Sequence, residues 1–162
     1  MSMNLHPATA LGEHLKRRQE TLGIAESSTG GLISASLLAV PGASAYFLGG
    51  TVIYTLRARR DLLGIEQGLL DAQKPLTDAY VTLCAETIRR RLGATWGLAE
   101  LGATGPAGTP YGHPPGICVL AVSGPVTLTR HLETGHGDRE VNMATFAHAA
   151  LELLEEALAR AG

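Results

Sequence analysis

The chain has 162 residues, of which 45% are apolar and only 4% aromatic, and a formal net charge of −2. That length can bury a core of Ala, Leu, Val and Ile without disulfide or metal staples. The charge speaks against holding nucleic acid or an anionic membrane through a general positive field, and the scarcity of aromatics leaves few platforms for stacking bases.

Before any apolar run develops the chain reaches Glu13, Lys16, Arg17 and Arg18, so no signal peptide and a cytoplasmic location are expected. Leu11, Leu15 and Leu22 fall on one helical face, and Gly23 is the expected terminator of that first helix. Ile24 and Ala25 then form a short interior strand that enters the turn Glu26-Ser27-Ser28-Thr29-Gly30-Gly31. Residues 32–40 follow as a helix stopped by Pro41-Gly42. Residues 27–56 contain no Asp, Glu, Lys or Arg, a stretch long enough to raise the question of a membrane span. Pro41-Gly42, Gly49-Gly50 and the serines at 34, 36 and 44 interrupt it, so it reads as interior helix plus interior strand, with no membrane contact.

Thr51, Val52, Ile53 and Tyr54 have the β-branched and aromatic character of a second strand. Residues 57–63 make a brief helix ended by Gly64. Thr77 starts a longer one, with Val81, Cys84, Ala85, Ile88 and Leu92 inward and Gly93 at its end. Arg89, Arg90 and Arg91 lie in its last turn, where cations offset the helix dipole. Residues 96–101 and 117–122 are apolar strands around a long Gly/Pro loop, and residues 126–132 alternate as an edge strand in a hairpin around Ser123-Gly124-Pro125. From Asp138 a final helix is expected to turn Val141, Ala144, Ala147, Leu151, Leu154 and Leu158 inward. The sum is one α/β domain over residues 1–162 with a mixed sheet and helices on both faces. A ligand is expected at the carboxyl ends of its parallel strands. Cys84 and Cys118 sit in apolar surroundings and read as inert buried thiols of a reducing compartment.

Three features can carry chemistry. The turn from Glu26 to Gly31 opens a helix, where free N–H groups and the positive dipole end suit a phosphate or an oxyanion; the same residues equally suit a plain helix cap. The loop from Gly102 to Gly116 is long for a compact domain and is either functional or a rigid surface connection. Arg57, Arg59 and Arg60 either grip a phosphate or line a solvated helix face. The histidines show no metal-ligand spacing, so neither a metal nor another cofactor is expected.

Taken in order, these residues resemble the CinA C-terminal domain family, the nicotinamide-nucleotide amidases. The resemblance runs from Leu11 to Leu158: residues 25–31, residues 40–50, Tyr54, Leu62-Leu63-Gly64-Ile65, Gly105-Pro106, Gly116 and Gly137-Asp138-Arg139. It implies a three-layer α/β/α sandwich, in the stand-alone form of the family, that hydrolyses the carboxamide of nicotinamide mononucleotide to nicotinate mononucleotide and ammonia. Ser27 matches the family's nucleophile. Arg59 and Tyr54 complete the implied catalytic set, while Glu26, Ser28, Thr29, Gly30, Gly31, Gly105, Pro106 and Arg139 surround a nucleotide or phosphorylated amide. A homo-oligomer is expected from the family and from the low charge of the first half.

The chain departs from the family pattern at several positions. Arg59 stands where the family has the lysine that activates the serine, Ser28 replaces the usual cysteine, Leu101 and Thr104 replace a threonine and an alanine, and Asn142 replaces an arginine. An arginine stays protonated and accepts no proton from a serine. His113, Tyr54, or Glu26 acting through water are the candidate bases that remain. The alternative is a homologue that binds a nucleotide or phosphorylated metabolite without hydrolysing it.

Overall fold

The computed structural model describes residues 6–162. Five strands form one mixed sheet in the order β2-β1-β3-β4-β5: β1 (Leu22–Glu26), β2 (Phe47–Val52), β3 (Trp96–Ala103), β4 (Ile117–Ser123) and β5 (Leu128–Glu133). β1 pairs in parallel with both β2 and β3, whereas β3-β4 and β4-β5 are antiparallel. Alternate residues of the central strands feed two cores. Leu22, Ile24, Trp96, Leu98, Cys118 and Leu120 pack with helices α1 (His6–Arg18), α2 (Leu32–Leu38) and α6 (Arg139–Arg160). Ala25, Ala99, Leu101, Val119 and Ala121 pack with α4 (Gln67–Asp71) and α5 (Asp78–Leu92). The expected three layers, α/β/α, are therefore present, and α3 (Leu56–Asp61) lies beside the carboxyl ends of the parallel strands.

The helices with strong local punctuation begin and end where the sequence placed them. Thr77 accepts from the Tyr80 N–H at the start of α5, Gly93 adopts φ 63° at its end, and Asp138 accepts from the Val141 N–H to open α6. Other expectations are corrected. The first helix stops at Arg18, where Gln19 takes φ 56°, and Gly23 is no terminator. Gly23 lies inside β1, and a Cβ there would approach Leu92 Cδ1 at 3.0 Å, so the glycine serves helix-on-sheet packing. The second strand begins at Phe47 and is an edge strand, with β1 as its single neighbour. Val141 and Ala144 of α6 face solvent, and the inward stripe there starts at Asn142 and Phe146. Leu92 is also partly exposed.

The connections decide where a site can form. From β1 the chain crosses one face through α2 to β2, then returns over the other face through α5 to β3 on the opposite side of β1. The segments leaving β1 and β3 diverge, which opens a crevice at their carboxyl ends. Into it come the Ser27-to-Gly31 turn, Tyr54 after β2, and the loop after β3. Among the described residues no helix is long and apolar enough to cross a membrane.

Candidate functional site

The turn after β1 is built around buried carboxylates. With seven residues α2 is too short to persist alone, and Gly31, its N-cap at φ 104°, offers no side chain to hold the first turn. Glu26 does this from the end of β1. Its Oε1 accepts from the Thr29 hydroxyl (2.6 Å) and the N–H groups of Gly31 (2.9 Å) and Ile33 (3.1 Å). Its Oε2 accepts from the Ser34 N–H (2.9 Å) and Oγ (2.8 Å). A fully buried carboxylate is tolerable only with such partners. Glu26 thus neutralises the start of α2 and has no lone pair to spare for a ligand.

Beside it stands a second buried acid, Glu100, set in a strand whose sequence is otherwise apolar. Glu26 and Glu100 occupy the same register in the parallel pair β1-β3, so both side chains leave the same face. Glu100 Oε1 accepts from the Ser27 N–H (2.9 Å), the Thr29 N–H (3.0 Å) and the Thr29 hydroxyl (2.8 Å). The Ser28 hydroxyl donates to Oε2. Burial, opposed by these hydrogen bonds from Ser28, Thr29 and Ser27, pushes the Glu100 carboxyl above the usual carboxylate range.

The single Thr29 hydroxyl lies within hydrogen-bond distance of both glutamates and links them. The neighbouring Cys118 thiol is likewise pushed well up, by burial first and then by the Glu100 charge.

These acids change the meaning of the turn. The N–H groups of Thr29 and Gly31 were expected to face a phosphate or oxyanion, but they serve Glu100 and Glu26, and the Gly30 N–H bonds the Ser27 carbonyl (3.1 Å). The cradle is filled by the chain's own carboxylates. Among the described residues no acceptor takes the Ser28 N–H, which stays available to water or a ligand.

Two adjoining hollows lie above the turn. One, of about 270 Å³, is lined by Ser27, Tyr54, Arg59, Leu76, Thr109 and Tyr111 among others. The second, of about 370 Å³, is lined by Ser28, Tyr54, Gly102, the segment 103–110 and Arg139. Tyr54, Gly102 and Thr109 border both. Gly102 is the floor: a Cβ there would lie 2.8 Å from Ser28 Oγ and 2.9 Å from both the Ile117 carbonyl and Phe146. On the far wall Arg139 donates to the Gly105 carbonyl (2.6 Å) and to Tyr54 Oη (3.1 Å), tying α6 to the rim. Arg59 donates to the Ile53 carbonyl (3.2 Å) and Tyr80 Oη (3.1 Å) and lies over the Tyr80 ring. It supplies positive charge to the first hollow while fixing the chain after β2.

Ser27, Ser28, Tyr54, Arg59, Gly105, Pro106 and Arg139 therefore converge on one crevice, while Glu26, Thr29, Gly30 and Gly31 lie in the turn beneath it. His113 does not join them. It is held by Thr109 (Nδ1 to Oγ1 3.0 Å) and lines a neighbouring hollow with Lys74 and Tyr111, the latter shared with the first hollow. Asn142, one of the departures from the family pattern, has a structural role. It is fully buried, donates to the carbonyls of Thr104 (2.9 Å) and His136 (3.0 Å), accepts from Thr134 (2.7 Å), and so pins the start of the β3-β4 loop. The signal that could have exposed Glu100 was a lone acid in the run Trp96 to Leu101.

Known proteins share this architecture. The model of the CinA C-terminal domain family matches residues 5–158. A CinA-like protein of Synechococcus sp. is 40% identical over 132 residues, covering 82% of this chain and 31% of that protein. One from Chlorobium phaeovibrioides is 39% identical over 154 residues, covering 91% and 36%. The chain thus spans about a third of the length of these curated relatives. A crystal structure of a competence-damaged protein (CinA) superfamily member from Klebsiella pneumoniae superposes with a TM-score of 0.90 at 28% identity, covering 98% of this chain and 99% of that one. A competence/damage inducible protein from Agrobacterium tumefaciens gives 0.88 at 27% identity, covering 96% and 98%. With its family match nearly end to end and its crevice formed by the same sandwich, the chain belongs to the CinA C-terminal domain family.

Proposed function

We propose that this chain is an amidohydrolase acting on the carboxamide of nicotinamide mononucleotide or a closely related phosphorylated amide, releasing ammonia. The observation that carries this reading is the pair of adjacent serines, Ser27 and Ser28, lining a crevice rimmed by the cations Arg59 and Arg139. A serine hydroxyl is a nucleophile for acyl transfer, and guanidinium groups suit a ligand phosphate. The family resemblance puts the nucleophile at Ser27. Tyr54, between the two hollows, would orient the ligand, and Gly105 and Pro106 would close over it. The test is ammonia release from nicotinamide mononucleotide by the purified chain. Activity unchanged in both Ser27→Ala and Ser28→Ala would remove the serine mechanism.

A second reading, binding without hydrolysis, is favoured by one contact set: Arg59 is committed to Ile53, Tyr80 and the ring beneath it and offers no proton acceptor. Stabilisation by nicotinamide mononucleotide without ammonia release would select it. Appearance of activity in Arg59→Lys would show that the chain had lost only its base. A homo-oligomer is supported by Leu48 (45% exposed) and Val52 (41%) on the free edge of β2. Light scattering on the purified chain, with a mass of one protomer as the contrary result, tests that.

A further inference from the structure

We propose that Glu100 is the general base of this chain and that the hydroxyl it activates is that of Ser28. This deepens the amide-hydrolysis reading and rests on it for the class of substrate. The two serines differ in what stands behind them. The hydrogen bonds of Ser27 run through its backbone, its N–H to Glu100 and its carbonyl to Gly30, and no described side chain takes the proton of its Oγ. Ser28 Oγ is in direct contact with Glu100 Oε2, above Gly102, where only a glycine leaves room for it, and Ser28 lines the hollow beneath Arg139 and Tyr54. The other Glu100 oxygen is held by Ser27 N–H and by Thr29 at 2.8–3.0 Å, which fixes the carboxyl plane. Nucleophile, base and a group that orients the base are therefore adjacent. The free Ser28 N–H is positioned on the nucleophile's own backbone, where oxyanion donors occur in serine hydrolases.

The step balances. Ser28 Oγ bonds to the carboxamide carbon as its proton passes to Glu100 Oε2 and the carbonyl π pair moves onto oxygen. Collapse of the oxyanion breaks the C–N bond, and nitrogen leaves as ammonia with the proton that Glu100 returns. Water then attacks the ester on Ser28, Glu100 accepts the water proton, and that proton passes to Oγ as the acid departs. A carboxyl raised above its ordinary range suits this exchange better than an ordinary one. The titratable groups facing it are Glu26, across Thr29, and the Cys118 thiol on β4.

A fluorophosphonate, which phosphonylates activated serines with loss of fluoride, tests the pair without any assumption about the natural substrate. Peptide mapping of the labelled wild-type chain is expected to find the adduct on Ser28, and labelling is expected to slow at least tenfold in Glu100→Gln, an isostere that keeps one carbonyl acceptor. Adduct on Ser27, undiminished labelling in Glu100→Gln, or no adduct on the wild-type chain overturns the proposal. Should Glu100→Gln fail to fold, Ser28→Ala decides: labelling that persists in it is the contrary result. Ammonia release measured in parallel separates the two readings. Ser28 labelling that depends on Glu100 in a chain releasing no ammonia refutes the amidase and keeps the pair. Ammonia release unchanged in Ser28→Ala refutes the pair and keeps the amidase.

Discussion

The turn after β1 and the rim formed by Tyr54, Arg139 and the β3-β4 loop border one crevice, but they are held by opposite means. In the turn every anchor is buried: Glu26, Thr29 and Glu100 are each fully inaccessible, and their hydrogen bonds run inward. On the rim the anchors are cations and carbonyls at the surface, and Tyr54 is 55% exposed. Unmet hydrogen bonds are costly where water cannot replace the lost partner and cheap where it can. Substitutions in the turn should therefore be read in stability, and substitutions on the rim in ligand affinity.

The largest effect is expected for Glu26→Ala. It strips the acceptor from the N–H groups of Gly31, Ile33 and Ser34 and from two hydroxyls, and should cost about 3–5 kcal/mol in urea unfolding. A loss below about 1 kcal/mol would mean that α2 does not depend on this carboxylate. Gly102→Ala should come next, at about 1–3 kcal/mol, because its Cβ meets a backbone carbonyl and Ser28 Oγ at under 3 Å.

Glu100→Gln sharpens the comparison through pH. An unfolded glutamate titrates near about 4.3, while the folded Glu100 holds its proton to higher pH because it is buried. The stability tied to that proton is present in full below the unfolded value and is lost as pH rises through the folded one. The glutamine variant has no such loss. The Tm difference, variant minus wild type, should therefore grow as pH is raised above the ordinary glutamate range, and a constant difference would contradict the shift. Tyr54→Phe is the smallest in stability, within about 0.5 kcal/mol. Having lost the hydroxyl that Arg139 binds at 3.1 Å, it should weaken nicotinamide mononucleotide binding up to about tenfold, or 1.4 kcal/mol. Unfolding by urea and ligand titration of the same variant would show whether turn and rim separate.

How much of this could be read beforehand follows from how local each signal is. Thr77, Gly93 and Asp138 announce helix ends because a cap is made within a few residues of itself. Gly23 misleads because its reason for being glycine is the distant Leu92, not a helix end. β2 reads as interior because its sequence is apolar, while edge or centre is decided by strand order, a property of the whole sheet. The site divides in the same way. The Ser27-Ser28 turn and Arg139 stand in recognisable motifs, so their neighbourhood was legible. Glu100 was not, since its meaning comes from facing Glu26 in register across two strands separated by most of the first half of the chain.

That register also has a calorimetric consequence. Between the pH at which an unfolded glutamate ionises and the higher pH at which the buried one does, Glu100 gives up its proton to the solution on unfolding. The heat absorbed at the transition then includes the heat of protonating the buffer, so scans in two buffers with different ionisation heats should give different unfolding enthalpies at one and the same pH. The part of that difference that is missing from Glu100→Gln belongs to the proton held between β1 and β3, while His14, whose imidazole burial holds below its usual range, contributes with the opposite sign in both chains.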